Sequence, residues 1–93
     1  MAAPENTQTN ERVDARLEAV VLQRVLDHHP ARITVDELAR ELIGAGDDFA
    51  ARDGIERALD ELTRSGLLHP VADGFVAPTR PAVRIGELLG SLT

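Results

Sequence analysis

The stretch Asp53 to Leu68, DGIERALDELTRSGLL, has the marks of a helix that stops at a glycine and runs directly into a strand. Ile55, Ala58, Leu59 and Leu62 recur at three- and four-residue spacing, which makes one side of a helix apolar. Asp53, with Glu56 three residues later, reads as an N-cap with its reciprocal carboxylate. Gly66 supplies the left-handed residue that ends many helices, and Leu67 and Leu68 open an extended run. At 100° per residue the opposite face carries Asp53, Arg57, Asp60 and Arg64. Asp53 and Arg57, Asp60 and Arg64, and Arg57 and Glu61 stand four residues apart. The outer face is therefore expected to neutralise itself through pairs worth about 0.2–0.5 kcal/mol each.

Upstream, ARITVDELARELIG carries the clearest local signal in the chain. Thr34 and Glu37 have the spacing of a capping box, Ile33 and Leu38 that of a hydrophobic staple, and Gly44 ends the helix after about ten residues. A connection, GAGDDFAAR, follows, and Phe49 is expected to plug it into the core. Before these lies a first helix from Glu11 to His29. Its apolar positions Val13, Leu17, Val20, Val21, Leu22, Val25 and Leu26 form a stripe broader than one face needs, and Pro30 ends it. Residues 1–10 are polar and aperiodic and read as a disordered tail ahead of a single domain, 11–93. Downstream, HPVADGFVAP reads as two short strands about an Asp73-Gly74 turn. A short amphipathic helix follows from about Pro81, with Val83, Leu88 and Leu89 available for packing.

Composition bounds the chemistry. A chain of 93 residues with 43% hydrophobic and 28% charged residues fits one soluble globular domain with a modest core. Phe49 and Phe75 are the only aromatics, so the stacking platforms used for single strands and splayed RNA bases are missing. Without cysteine there is no disulfide, thiolate metal site or cysteine nucleophile. The start MAAPENTQTNER has no basic segment followed by an apolar one, and no run of 18 apolar residues occurs, so the expected location is the cytoplasm. A formal charge of −6 works against general affinity for phosphate backbones. All ten basic residues are arginine.

The order of helix, short capped helix, connection, longer helix, Gly-Leu-Leu and hairpin resembles the small winged helix-turn-helix domains of bacterial transcription regulators. The segments ITVDELARELI, IERALDELTRSGLLH and DGFVAPTRPAV carry that resemblance over about residues 12 to 85. It implies a mainly α fold with a small β-hairpin wing: a three-helix core, a two- to three-stranded sheet and a short C-terminal helix. In that family the third helix enters the major groove and the wing touches the DNA backbone or minor groove. Carried over by position, this implicates Arg52, Arg57 and Arg64 on the third helix, with His69 and Arg80 beside the wing. The chain departs from the family in its wing tip, where Asp73 offers a phosphate a like charge.

Other chemistries find little support. His28, His29 and His69 lack the companions of a metal set, and the adjacent pair is expected to cap the end of the first helix. Ser65 and Ser91 have no triad context, and Asp36, Glu37 and Glu41 lie on a capped helix without a nucleophile. An enzyme, a cofactor and a small-molecule ligand are therefore not expected. The partners expected are double-stranded DNA, a second copy of the chain or another protein. The broad stripe of the first helix and the C-terminal VRIGELLGSL are the elements open to a dimer seam.

Overall fold

The computed structural model describes residues 3–44, 46 and 48–92, with side chains from residue 13 onward. Within them four α-helices surround a small antiparallel sheet: α1 (Ala3–His28), β1 (Ile33–Thr34), α2 (Val35–Ile43), α3 (Phe49–Arg64), β2 (Leu68–Pro70), β3 (Phe75–Pro78) and α4 (Arg80–Gly90). The three strands lie in the order β1-β3-β2, so the short strand ahead of α2 pairs with the far strand of the hairpin. Ile33 stands opposite Val76, and Leu68 opposite Pro78. Among the described residues no helix is long and apolar enough to cross a membrane.

Local chemistry sets most element ends. Thr34 Oγ1 accepts the Glu37 amide at 3.1 Å, while the Thr34 amide donates to the Glu37 carboxylate at 3.3 Å, so the capping box forms as expected. Thr34→Ala removes one side of that exchange and is expected to destabilise the protein by about 1 kcal/mol, read as a shifted urea midpoint with an unchanged slope. At the end of α3 the Leu67 amide donates to the Leu62 carbonyl and the Gly66 amide to that of Thr63, with Gly66 at φ 80°. That double bond pattern is a Schellman motif, which needs the left-handed residue that glycine supplies without strain. In the hairpin, Asp73 (φ 66°) and Gly74 (φ 77°) are both left-handed, as the turn between right-twisted strands requires.

One apolar cluster joins the elements. Val21 and Val25 of α1, Ile33 of β1, Leu38 of α2, Ile55, Leu59 and Leu62 of α3, Leu68 of β2 and Val76 of β3 are all buried in it. The apolar stripe foreseen on α3 is therefore its core face, joined by Gly54. An added Cβ at Gly54 would stand 3.1 Å from Leu17 Cδ2, so the missing side chain is what lets α1 lie close across α3.

Four local expectations give way. The helical conformation of α1 begins at Ala3, ahead of Glu11, and Met1 and Ala2 lie outside the described residues. Pro4 falls in the first turn, where it is tolerated, and no glycine or proline interrupts the chain from there to Pro30. α3 begins at Phe49, capped by Asp48, whose carboxylate accepts the Ala51 amide at 3.0 Å; Asp53 lies inside the helix. Ala50, Ala51 and Arg52 are strong helix formers and extend α3 back to the earlier cap. Phe49 consequently stands at an outward first-turn position, 76% exposed, and does not plug the core. On α4 the buried residue is Ala82, while Leu88 and Leu89 are exposed; small residues face α1 because the helices approach closely there, with Gly86 against Leu26.

A polar joint fixes the start of α4. Thr79 Oγ1 donates to the Gly66 carbonyl at 2.7 Å and the Thr79 amide to the Leu67 carbonyl at 3.0 Å. The same hydroxyl accepts the Ala82 amide, so Thr79 both caps α4 and grips the end of α3.

Candidate nucleic-acid interface

α3 is 16 residues long, which at 1.5 Å per residue gives a rod of roughly 24 Å. Its core face is fixed by Ile55, Ala58, Leu59 and Leu62, so Asp53, Arg57, Asp60 and Arg64 are turned outward and are exposed. The expected i,i+4 pairs do not form along that face. Arg64 instead meets Glu61 at 3.7 Å, three residues back, and among the described residues Arg57 has no ion-pair partner. Exposed pairs of this kind gain a few tenths of a kcal/mol at best, too little to hold long side chains in one arrangement. The Arg57 guanidinium lies back toward Gly54, 3.9 Å from where a Cβ would stand.

The five basic candidates occupy different places. Arg57 and Arg64 share a shallow groove of about 330 Å³ between α1 and α3, together with Asp14, Glu18, Asp60 and Glu61. Arg52 lies on the flank toward α2, where it pairs with Asp36 and approaches Glu56 to 3.8 Å. The hydrogen bond that Arg52 donates to the Asp36 carboxylate, then the charge of that carboxylate, holds the guanidinium protonated even more firmly than an ordinary arginine. This pairing ties the start of α2 to the first turns of α3. His69 is exposed on β2, opposite Ala77, and Arg80 is exposed at the first position of α4. Only Arg57 and Arg64 are thus brought together in one groove.

No protein family, curated protein or solved structure matches the chain.

Two further features escaped sequence reasoning. His28 does not cap α1; its Nε2 faces the Glu41 carboxylate at 2.9 Å, and Arg24 reaches the same carboxylate at 3.6 Å. These contacts pin α2 to α1, 13 residues apart in sequence, so no local spacing reveals them. The second is an apolar groove of about 680 Å³ between α1 and α4, with Leu22, Leu26, Leu67, Val83, Ile85 and Leu89 in its lining. The breadth of the apolar stripe on α1 and the apolar residues of VRIGELLGSL were its sequence signals.

Proposed function

We propose that the chain is a winged helix-turn-helix domain that binds double-stranded DNA as a transcription regulator or regulator-like module. The observation that carries this reading is the arrangement of a capped α2, a long α3 and an immediately following hairpin joined to β1 in one sheet, with the outer face of α3 left uncovered. A major groove about 12 Å wide admits a helix of this kind. Arg57, at mid-length and without an ion pair to break, is the residue for bidentate contact with the O6 and N7 of guanine. Asp60, on the same face, can accept from a cytosine amino group. Arg64, His69 and Arg80 are assigned to phosphates, which fix register rather than sequence. Arg52 is assigned to bracing, since Asp36 and Glu56 already engage it.

The acidic surroundings shape the expected binding. With Arg64 and Arg80 on phosphates, the logarithm of affinity falls with a slope near −1.8 against the logarithm of salt, or about 12-fold between 50 and 200 mM. The test is selection of bound sequences from a random duplex pool at low salt, followed by titration of the winning site. Arg57→Ala is expected to weaken that site by about 5- to 150-fold and to relax preference at one base pair, with thermal stability unchanged. A pool that yields no enriched sequence sinks the proposal.

A second reading is favoured by the exposed Leu88, Leu89 and Leu92: an acidic winged helix that serves as an interaction or dimerisation module and never touches DNA. Failure of the selection together with measured self-association is the outcome that selects it.

A further inference from the structure

We infer that α4 and the groove beside it form the interface of a symmetric dimer, and that the occupant of this surface is a second copy of the chain. Ile85, Leu88, Leu89 and Leu92 are about half to four-fifths exposed and fall on one side of α4 and its end. Ile85 and Leu89 also border the 680 Å³ groove, so the exposed stripe and the groove are one continuous apolar surface. Monomers seldom leave such a patch uncovered.

Charge identifies the occupant. The chain carries −6, and two copies meeting through most of their surfaces bring like charges together. The surface of α4 and its groove is the exception, with Arg80 and Arg84 balanced by Glu87 and Asp27. A basic partner would be drawn instead to the groove between α1 and α3, where Asp14, Glu18, Asp60 and Glu61 gather. Arg84 and Glu87 lie beyond the Leu88 edge of the apolar stripe, 3.8 Å apart within one chain and both largely exposed. In a two-fold contact each residue meets the partner's complement. An antiparallel crossing of two α4 helices about Ile85 and Leu88 buries the stripe against itself and sets each Arg84 within reach of the other copy's Glu87. The small residues Ala82 and Gly86 keep α4 close to α1, which leaves its apolar side free for this contact.

The inference does not depend on DNA binding, because self-association is measured without DNA. Mass is determined by sedimentation and light scattering on the full chain from micromolar to sub-millimolar concentration. The expected result is about twice 10.0 kDa at the upper end, with Leu88→Glu reducing it to a single copy while the helical circular dichroism is retained. Arg84→Glu and Glu87→Arg, each alone, place like charges across the two-fold axis and are expected to weaken dimerisation about tenfold. Mixing those two variants restores opposite charges at both contacts and is expected to restore the dimer as a heterodimer. A single-copy mass for the unaltered chain throughout the range, a Leu88→Glu variant that stays dimeric, or a mixture no tighter than its components overturns the proposal.

Discussion

Leu38→Ala is expected to lower the melting temperature by roughly 12–24 °C, the equivalent of about 3 kcal/mol in a domain of this size. Leu38 is completely buried on the core face of α2. Around it lie side chains whose backbones are fixed by other means: Ile33 by pairing with Val76, and Ile55 by the long α3 helix. Those neighbours have little freedom to collapse into the space of the lost methyl groups, so a cavity remains and adds to the lost transfer energy. A chain of 93 residues has about 5–14 kcal/mol of stability in total, and the variant loses a large share of it. Thermal and urea unfolding followed by circular dichroism measure the change. A shift within about 3 °C would mean that α2 does not dock through this residue.

Gly54→Val is expected to be nearly as damaging, at about 2–3 kcal/mol or roughly 8–24 °C, and for the opposite reason: too much volume instead of too little. The Cβ alone would stand 3.1 Å from Leu17 Cδ2, and the two further methyl groups of valine have to enter the crossing of α1 and α3. Either the Leu17 side chain leaves its rotamer or the two helices separate, and separation also loosens Val21 and Val25 against Ile55 and Leu59. Gly54→Ala calibrates the result. Its helix-propensity gain of about 1 kcal/mol is set against one tight contact with a flexible side chain, so it is expected to fall near neutrality. Equal stability of the two variants would show that the helices do not cross as closely as Leu17 and Gly54 imply.

The expectations that held rest on signals complete within a few residues. Thr34 and Glu37 satisfy one another whatever the rest of the chain does, and Gly66 and the Asp73-Gly74 pair supply backbone conformations that other residues resist. The apolar stripe of α3 is equally local, because Ile55, Leu59 and Leu62, with Ala58 between them, leave a single way to bury them. Elsewhere local signals competed. Asp48 and Asp53 are both good caps, and the choice between them follows from the helix-forming residues between them and from Arg52 reaching Asp36 on another element. α4 is apolar over so wide an arc that hydrophobicity alone cannot choose its inner side; close approach to α1 favours Ala82 and Gly86 over Leu88.

The outer face of α3 follows the same division. Spacing was enough to turn Arg57, Asp60 and Arg64 outward together, since one backbone carries them. It was not enough to say which charges pair, because the ties that matter join separate elements: Arg52 with Asp36, and His28 and Arg24 with Glu41. Exposed arginines choose among neighbours by fractions of a kcal/mol, and no pattern along the chain encodes that choice.

Thr79 gives the fold a property that neither of its helices has alone. α4 buries only Ala82, yet its first turn is clasped to the last carbonyls beyond α3 by one hydroxyl and one amide. The clasp fixes where α4 starts, while Ala82 and Gly86 against α1 fix how it lies. The clasp lies where α3 stops and the hairpin begins. One residue thus joins the end of α3, the end of β3 and the start of α4 at a single point.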